Sequence, residues 1–396
     1  MNHTNALDSL ERMLAVEPKP GEEPVVSREF PFEFRGTGAE YFRIWIVNLL
    51  LTILTLGIFS AWAKVRRQRY FYGNTFLDGH SFEYHAKPLA ILKGRLIVFA
   101  GYVAFFIGMQ MYQPLLLGLV PVAAFGLPWI LMRSRRFQLR MTSWRNVHFD
   151  FRGRYWPAVN AYVGWHIMVV AVFVVFALLQ PMRWGFFFVA LAVCAVLYPL
   201  WVHKRVEYSL DNAEYGREGF SFCTGSERFY LICGATAVLS VVALFAFGAG
   251  LAAVPGLIDE TRGMQREELV DQLLEAGPKG WAVMVVAGLM AYAIAGFYRA
   301  KLLNASFGGV MVRLHSLNSR VGALGLMWIN ITNLLGILVT LGLYYPFARV
   351  RQVRYQLSRM SLEGSGQFHT IEAVEGADTS ALGEEAGDFF NVDLGL

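Results

Sequence analysis

The chain is poor in charge. Of its 396 residues only 16% are charged, 55% are hydrophobic, and the mean hydropathy is +0.41. Soluble domains carry about 25% charged residues, so this chain lacks the charge that would coat an ordinary water-facing surface. This composition argues against a soluble globular enzyme and against a disordered protein, and it favours a membrane protein.

Sequence signatures of catalytic and metal sites are also lacking. The three cysteines form no CxxC pair, and the eight histidines are scattered with no HExxH motif. We therefore predict no metal site and no cofactor, and we leave enzymatic activity open. A convergent set of His80, His85, His148 and Asp150 is the one candidate for catalysis that the pattern offers.

Long apolar segments are abundant. A helix needs about 20 apolar residues to cross a bilayer, and six segments qualify: Leu96–Tyr112, Leu115–Met132, Pro157–Leu179, Trp184–Val202, Tyr230–Val254 and Trp281–Phe297. Two further apolar segments, Tyr41–Ala63 and Val321–Ala348, are less simple. The expected fold is an all-α helical bundle of six to eight transmembrane segments with short cytoplasmic β-hairpin-like loops.

Part of the sequence occurs twice. Residues 48–70 align without gaps on residues 333–355, with eleven of 23 positions identical. The matches include asparagine, threonine, glycine and arginine at fixed spacing, which shared apolar composition does not explain. The alignment predicts an internal repeat.

A shorter pattern follows the helix pairs. A basic residue is followed by polar turn residues and then by an arm that alternates apolar and polar positions, typical of a β-hairpin. The arms are Phe82–Tyr84, Phe149–Phe151, Phe220–Phe222, Val312–Leu314 and, in a poor fifth copy, Phe368–Thr370. Since an isolated hairpin is marginally stable, we expect these units to pack on one another or on the helix ends.

Charge is distributed unevenly. Residues 1–33 and 361–396 form acidic tails that we expect to be flexible, whereas the predicted membrane domain, residues 34–360, is strongly basic. The first tail contains no apolar stretch, so we expect no cleavable signal peptide. Between the tails the basic clusters follow the predicted spans, and the positive-inside rule places them and the hairpins in the cytoplasm.

The rule conflicts with eight full spans in this orientation, because six spans separate two segments that both end in basic clusters. Either both are re-entrant, turning at Thr55–Gly57 and Thr340–Gly342, or both are full spans and the repeats are inverted. The acidic connection Asp259–Ala276 predicts an amphipathic helix on the opposite surface.

Two sets of residues are candidates for function. Polar residues and glycines in the repeated segments could line a pathway or break a helix, or could form ordinary interhelical hydrogen bonds. These pathway candidates are Asn48, Thr52, Thr55, Gly57, Asn330, Asn333, Thr340 and Gly342. Basic residues after the same segments could bind anionic lipid headgroups, although they also set the topology. These headgroup candidates are Lys64, Arg66, Arg67, Arg69, Arg349, Arg351 and Arg354.

The stretch from Phe34 to Ala63, beginning FRGTGAEYFRIW, resembles the YjgN family of bacterial multi-pass inner-membrane proteins, a domain of unknown function. The motif RYFYGN and the segment Gly79–Tyr84 also fit that family. The resemblance is specific over residues 34–95 and plausible through about residue 360. It implies a bacterial inner-membrane location and supplies no activity, substrate or site residue.

Two functions therefore stay open. One is a small-solute channel or transporter-like pathway, suggested by the polar residues of the repeat. The other is a non-catalytic membrane scaffold that organises lipids or partner proteins, suggested by the absence of charged residues inside the six spans. Anionic membrane lipids are the expected partners, a homo-oligomer or a membrane-protein partner is possible in either case, and nucleic acid is not needed to explain the charge.

Overall fold

The fold combines helices with a β-barrel. The computed structural model describes residues 28–111, 115–178, 183–252, 277–313 and 315–364. The described helices are α1 Gly38–Leu54, α2 Ser60–Gly73, α3 Pro88–Met111, α4 Leu115–Arg140, α5 Tyr155–Tyr162, α6 Gly164–Leu178, α7 Arg183–Asp211, α8 Ser226–Ala252, α9 Gly277–Phe307, α10 Ala323–Val339 and α11 Tyr345–Leu357. The described strands are β1 Arg28–Phe34, β2 Thr75–Leu77, β3 His80–Tyr84, β4 Thr142–Trp144, β5 Val147–Phe151, β6 Ala213–Tyr215, β7 Glu218–Phe222, β8 Val310–Val312, β9 His315–Ser319 and β10 Met360–Gly364.

The ten strands close into one antiparallel barrel. Four hairpins follow one another around it. The first and last described strands, β1 and β10, pair with each other and close the barrel as a fifth strand pair, with Phe30 opposite Leu362. Strand β1 also pairs with β2, where Phe34 lies opposite Thr75. The prediction of an all-α bundle with separate hairpin loops is therefore wrong, because each short strand finds its neighbours in the adjacent hairpins.

The fifth strand pair does not involve the segment that the hairpin pattern predicted. Its strands are β10 and β1, and the predicted arm Phe368–Thr370 lies outside the described residues, as does the predicted helix Asp259–Ala276. Strand β1 includes residues 28–33 of the N-terminal acidic segment, and β10 includes residues 361–364 of the C-terminal one.

The interior of the barrel is filled with apolar side chains. Leu77, Trp144 and Tyr215 are buried in one cluster with aromatic residues from strands all round the sheet. Phe82 stacks against Trp144 with ring centroids 6.1 Å apart, and Phe149 lies 4.9 Å from Tyr215. Side chains of distant strands can meet in one cluster only inside the barrel, so its interior is a packed core.

All five helix-containing connections attach to the same end of the barrel. Each leaves after one strand and returns before the antiparallel partner of that strand, as the pairing of Tyr84 with Thr142 and of Phe151 with Ala213 illustrates. The helices pack mainly against their neighbours along the chain, and α11 packs against α1, so they form a closed ring above the barrel.

A side chain from the second half of each helix unit fixes the next connection. In every unit it donates a hydrogen bond, over 2.7–3.4 Å, to the carbonyl two residues beyond the second strand of the strand pair that comes next around the barrel. The donors and acceptors are Arg69 with Ala86, Arg136 with Gly153, His203 with Thr224, Asn304 with Val321, and Arg354 with Gly36. Three kinds of donor, an arginine in three units, a histidine in one and an asparagine in one, thus make the same contact.

Four helices among the described residues are long and apolar enough to cross a membrane: α3, α7, α8 and α9. The predicted count of six to eight spans is therefore wrong for this part of the chain. Pro157–Leu179 is one reason, because the chain breaks at Val163 and forms an eight-residue and a fifteen-residue helix there. Tyr41–Ala63 and Val321–Ala348 are another, because each folds as two helices joined by a turn.

Candidate functional site: polar helix hairpins and a buried cationic cluster

The first set of pathway candidates lies in the hairpin of α1 and α2. Thr52 and Thr55 donate hydrogen bonds to carbonyls one turn earlier, at 2.6 and 2.7 Å, and the Thr55 hydroxyl also accepts from the Phe59 N–H at 2.9 Å. Gly57 has a φ of +93°, which reverses the chain. Asn48 is buried, and its Oδ1 has no hydrogen-bond partner. These residues shape the hairpin.

The second set lies in the hairpin of α10 and α11. Asn333 donates to the Ala348 carbonyl at 3.1 Å and accepts from Arg351 at 3.3 Å. Gly342, with a φ of +95°, makes the same turn as Gly57, and Thr340 caps it through the Tyr344 N–H at 2.9 Å. The candidate residues here connect two helices.

Asn330 is buried at the contact with α9, where its amide lies against Gly296. None of the pathway candidates lines either of two cavities at the surface of the described residues. One of these cavities lies at Phe30, Pro31 and Asp78 beside the barrel, and the other lies along Val189, Val193 and Val196 of α7.

The headgroup candidates have different environments. Arg69 and Arg354 hold the backbone carbonyls named above, Lys64 is 6% exposed, and Arg349 donates to Gln352 at 3.2 Å. Arg66 and Arg67 are exposed. The structure does not bring these seven residues to one site.

Two of the headgroup candidates, Arg66 and Arg351, belong to a set of basic residues that occupies equivalent places in all five units. Each lies nine residues before the strand that follows: Arg66, Arg133, Lys204, Lys301 and Arg351. Three of these cations lie over aromatic rings, with Arg66 5.4 Å from the Phe59 centroid, Arg133 5.5 Å from Trp129 and Lys301 5.8 Å from Phe297. Aromatic rings paired with basic side chains are typical of a membrane–water interface.

The histidine candidates converge in part. The rings of His85 and His148 lie 5.0 Å apart. His85 Nε2 is 2.7 Å from the Ser143 hydroxyl, and His148 Nδ1 is 2.9 Å from the Arg140 carbonyl. Arg140 in turn forms an ion pair with Asp150 at 2.7 Å. These residues form a connected group on the outside of the barrel.

His85 favours the neutral state. Burial and the neighbouring His148 lower the pKa of His85 below its usual value. Burial raises the pKa of Asp150, but hydrogen bonds from Arg140 and the Phe151 N–H outweigh it and leave the pKa lowered. His80 lies apart. The described residues contain no group of three metal-ligating side chains.

Sequence reasoning missed a buried cationic cluster where α4, α5 and α7 meet, formed by Arg135, Arg205, Trp201, Tyr162 and Ser209. Arg135 is 9% exposed and hydrogen-bonds the Tyr162 hydroxyl. Tyr162 lies 3.2 Å from the Ser209 hydroxyl, which donates to the Arg205 carbonyl at 2.8 Å. The Arg205 guanidinium lies 5.4 Å from the Trp201 ring centroid.

The sequence shows the basic runs that contain this cluster, but it does not show which of their members are buried. Arg135 stands among Arg133, Arg136 and Arg140, and Arg205 follows Lys204, so both belong to basic runs that set topology. Nothing in a run of arginines tells which member points into a helix contact. Arg135 is the buried member of its run because α5 places Tyr162 against it.

The profile of a family described as "Bacterial protein of unknown function (DUF898)" matches residues 29–389. The inner membrane protein YjgN of Salmonella typhimurium is 27% identical over 363 residues, covering 84% of this chain and 88% of that protein. The proteins of the same name from Escherichia coli O157:H7 and K12 are each 35% identical over 32% of this chain and 33% of their own length. No solved structure matches the chain.

These relatives confirm the resemblance drawn from the segment 34–95. Together with the four apolar helices, they identify a multi-pass protein of the bacterial inner membrane that contacts membrane lipid. The match over residues 29–389 covers most of the sequence, and the chain therefore belongs to this DUF898 family.

Proposed function

We propose that this protein is a non-catalytic membrane scaffold that organises lipids around a ring of helices. The observation that carries the proposal is the packing of α8. From Gly234 to Gly250 only Thr236, Ala243, Phe247 and Gly250 are even half-buried, and these four share one face that meets α9. The rest of this stretch is exposed among the described residues, and we assign that surface to lipid.

The uncovered surface of α8 is apolar and extends around the helix. Val242 and Phe245, 58% and 75% exposed, lie three residues apart on one side of the helix, and Leu244, 68% exposed, lies on the opposite side. In a compact helical bundle one of these sides would face other helices. Because α8 packs through one face only, most of its surface is left for acyl chains to contact. A protein that organises lipids needs such a large contact area.

The helix hairpins fit the same proposal. Helix α1 is about 25 Å long, shorter than a hydrocarbon core of about 30 Å. Its tip exposes apolar side chains, with Leu56 95% exposed, and the matching Leu341 is 94% exposed. Both hairpins start and end at the barrel. We infer that they are re-entrant elements related by an internal repeat, with their tips in lipid.

Four of the five equivalent basic residues complete the proposal, because the fifth, Arg351, donates to Thr332 and Asn333 of α10. The four are Arg66, Arg133, Lys204 and Lys301. Each lies nine residues before a barrel strand, toward the side of the molecule that the positive-inside rule places in the cytoplasm. There they would contact anionic headgroups, each worth about 1 kcal/mol near the surface. A solute pathway is less well supported, because aromatic side chains fill the barrel and the candidate polar residues lie in helix contacts.

Spin labels on α8 test the proposal. Nitroxides at V242C, L244C and F245C should all be highly accessible to oxygen, which dissolves in lipid, and protected from a water-soluble nickel complex. The matched control F247C, in the α9 contact, should be protected from both. Nickel accessibility at any one of the three exposed positions would indicate a wet interior and would favour the solute pathway instead.

A further inference from the structure

The buried cationic cluster contains donors that have no acceptor. Arg135 Nε, Arg205 Nε and Trp201 Nε1 are all buried from solvent without a hydrogen-bond partner. An unsatisfied buried donor costs about 1–3 kcal/mol, and more when it is charged. Three such donors in one cluster of a folded protein indicate an acceptor that binds there.

The charges of the cluster are also unbalanced. Arg205 lies within electrostatic range of Arg135, and like charges so placed repel each other. Among the described residues neither arginine forms an ion pair with a carboxylate. The nearby Glu207 lies 3.9 Å from His203, and Asp211 accepts the Phe222 N–H at 2.6 Å. A buried and a half-buried cation without an acid call for an anionic ligand.

The cluster is open on one side. Arg205 and Trp201 are only half-buried, whereas Arg135 is buried and is held by Tyr162. A ligand can therefore reach the outer guanidinium first and be attracted by the inner one. Arg205 makes no side-chain hydrogen bond in the described part of the chain, so its donors are available.

We propose that Arg205, Trp201 and Arg135 form a binding site for a phosphate monoester or diester. Guanidinium groups match the spacing of phosphate oxygens and bind them in a bidentate manner. A phosphate offers several acceptor oxygens, enough for donors that approach from α4 and α7 together. The site rests on the proposed function in one respect only: if the phosphate belongs to a lipid headgroup, this is where the scaffold distinguishes anionic lipids.

The site lies where a headgroup would be expected. Arg135 and Arg205 belong to the last two turns of α4 and α7, next to the barrel and to Arg133 and Lys204 of the five equivalent basic residues. Arg205 also lies near Tyr298 of α9, so three helix units surround this cluster. A phosphate there would join units that otherwise meet only through neighbouring helices.

The full chain in nanodiscs tests this site. Phosphatidylglycerol in phosphatidylcholine discs, titrated against thermal unfolding, should stabilise the protein, and R205Q should weaken the apparent affinity at least about tenfold, as loss of a charge-assisted hydrogen bond predicts. R205K keeps the charge but loses the bidentate donors of the guanidinium group, so its apparent affinity should be weakened too. R217Q is the matched control, since it removes a charge from an exposed residue in the turn between β6 and β7, at the end of the barrel away from the helices, and it should bind nearly as the unchanged protein does.

A second arm identifies the source of the phosphate. Inorganic phosphate at matched ionic strength, added to protein in phosphatidylcholine discs, should stabilise the protein if the site takes free phosphate and should have no effect if it needs a lipid. Equal binding by R205Q and the unchanged chain in both arms would overturn the proposal. Oxygen accessibility of α8 would be unaffected by that result, so the scaffold and the phosphate site can fail separately.

Discussion

A disulfide between the first and last strands would test whether the barrel closes. Glu29 of β1 lies directly opposite Glu363 of β10, and directly opposed residues of antiparallel strands have Cα atoms about 4.5–5.5 Å apart. That separation suits a disulfide. We therefore expect E29C and E363C to form a disulfide in a chain whose three native cysteines are replaced by alanine.

The expected stabilisation can be worked out from the loop that this bond would close. It spans about 335 residues, for which the chain-entropy relation gives about 5–6 kcal/mol. Engineered disulfides usually deliver less, because the crosslink distorts native geometry, so we expect about 2–4 kcal/mol. The bond should raise the unfolding midpoint of the oxidised protein relative to the reduced protein.

The assay uses a protease site inserted in the connection between α8 and α9. After cleavage, the two fragments of the E29C/E363C variant should stay joined on a non-reducing gel and separate on reduction. The control pair is E29C with S316C. Ser316 pairs with Glu363 from the far side, which puts it two strands from Glu29, about 9.5 Å away and beyond disulfide range.

Fragments that separate without reductant, although both cysteines react with an alkylating reagent, would refute the closed barrel. Equal joining of the control pair would refute the strand order. In either case the aromatic cluster could not be a barrel interior, and the argument against an aqueous path through it would fail as well.

Three further predictions concern the barrel, the hairpin turn and pH. Replacing Trp144, which is 3% exposed, with alanine should lower the free energy of unfolding by about 3–5 kcal/mol. The control W156A, at a site 71% exposed, should change it little. Equal effects of the two substitutions in chemical denaturation would contradict a packed interior. G57A should cost about 1 kcal/mol although nothing lies within 4 Å of the new methyl group, because its φ is +93°, whereas G101A in the interior of α3 should be neutral or stabilising. Since the folded-state pKa of His85 lies below the unfolded value of about 6.5, unfolding takes up a proton as pH falls through that value, and the melting temperature should drop between pH 7.5 and 5.5. The variant H85Q should show a smaller drop, and an unchanged pH profile would count against the assignment.

Local patterns in the sequence predicted the hairpins but not their closure. The alternation of Phe149, Asp150 and Phe151 is readable from neighbours alone, and that segment is a strand. Strand β1 alternates equally well, with Phe30, Phe32 and Phe34 pointing inward, but its glutamates made it look like part of an acidic tail. Its partner β10 lies more than 300 residues away, and no local pattern encodes such a pairing.

The candidate sites show the same limit. The sequence singled out Asn333 because an amide in an apolar helix needs a partner, and the partners are the Ala348 carbonyl and Arg351. A water-filled path and a helix contact place the same residue types in the same pattern, so the sequence could not choose between them. For Arg135 the deciding fact is Tyr162 on another helix, and only the tertiary structure supplies it.

The pairing of β1 with β10 can form only after the last barrel strand has been synthesised. Strand β1 is translated first and β10 last among the barrel strands, so one edge of β1 has no partner while about 330 residues are added, roughly tens of seconds at bacterial rates. An unpaired edge invites aggregation, and Pro31, Glu29 and Glu33 on β1 are the residue types that discourage it. The acidic residues and the proline of this first strand would thus protect a nascent chain until its own far end arrives to seal the ring.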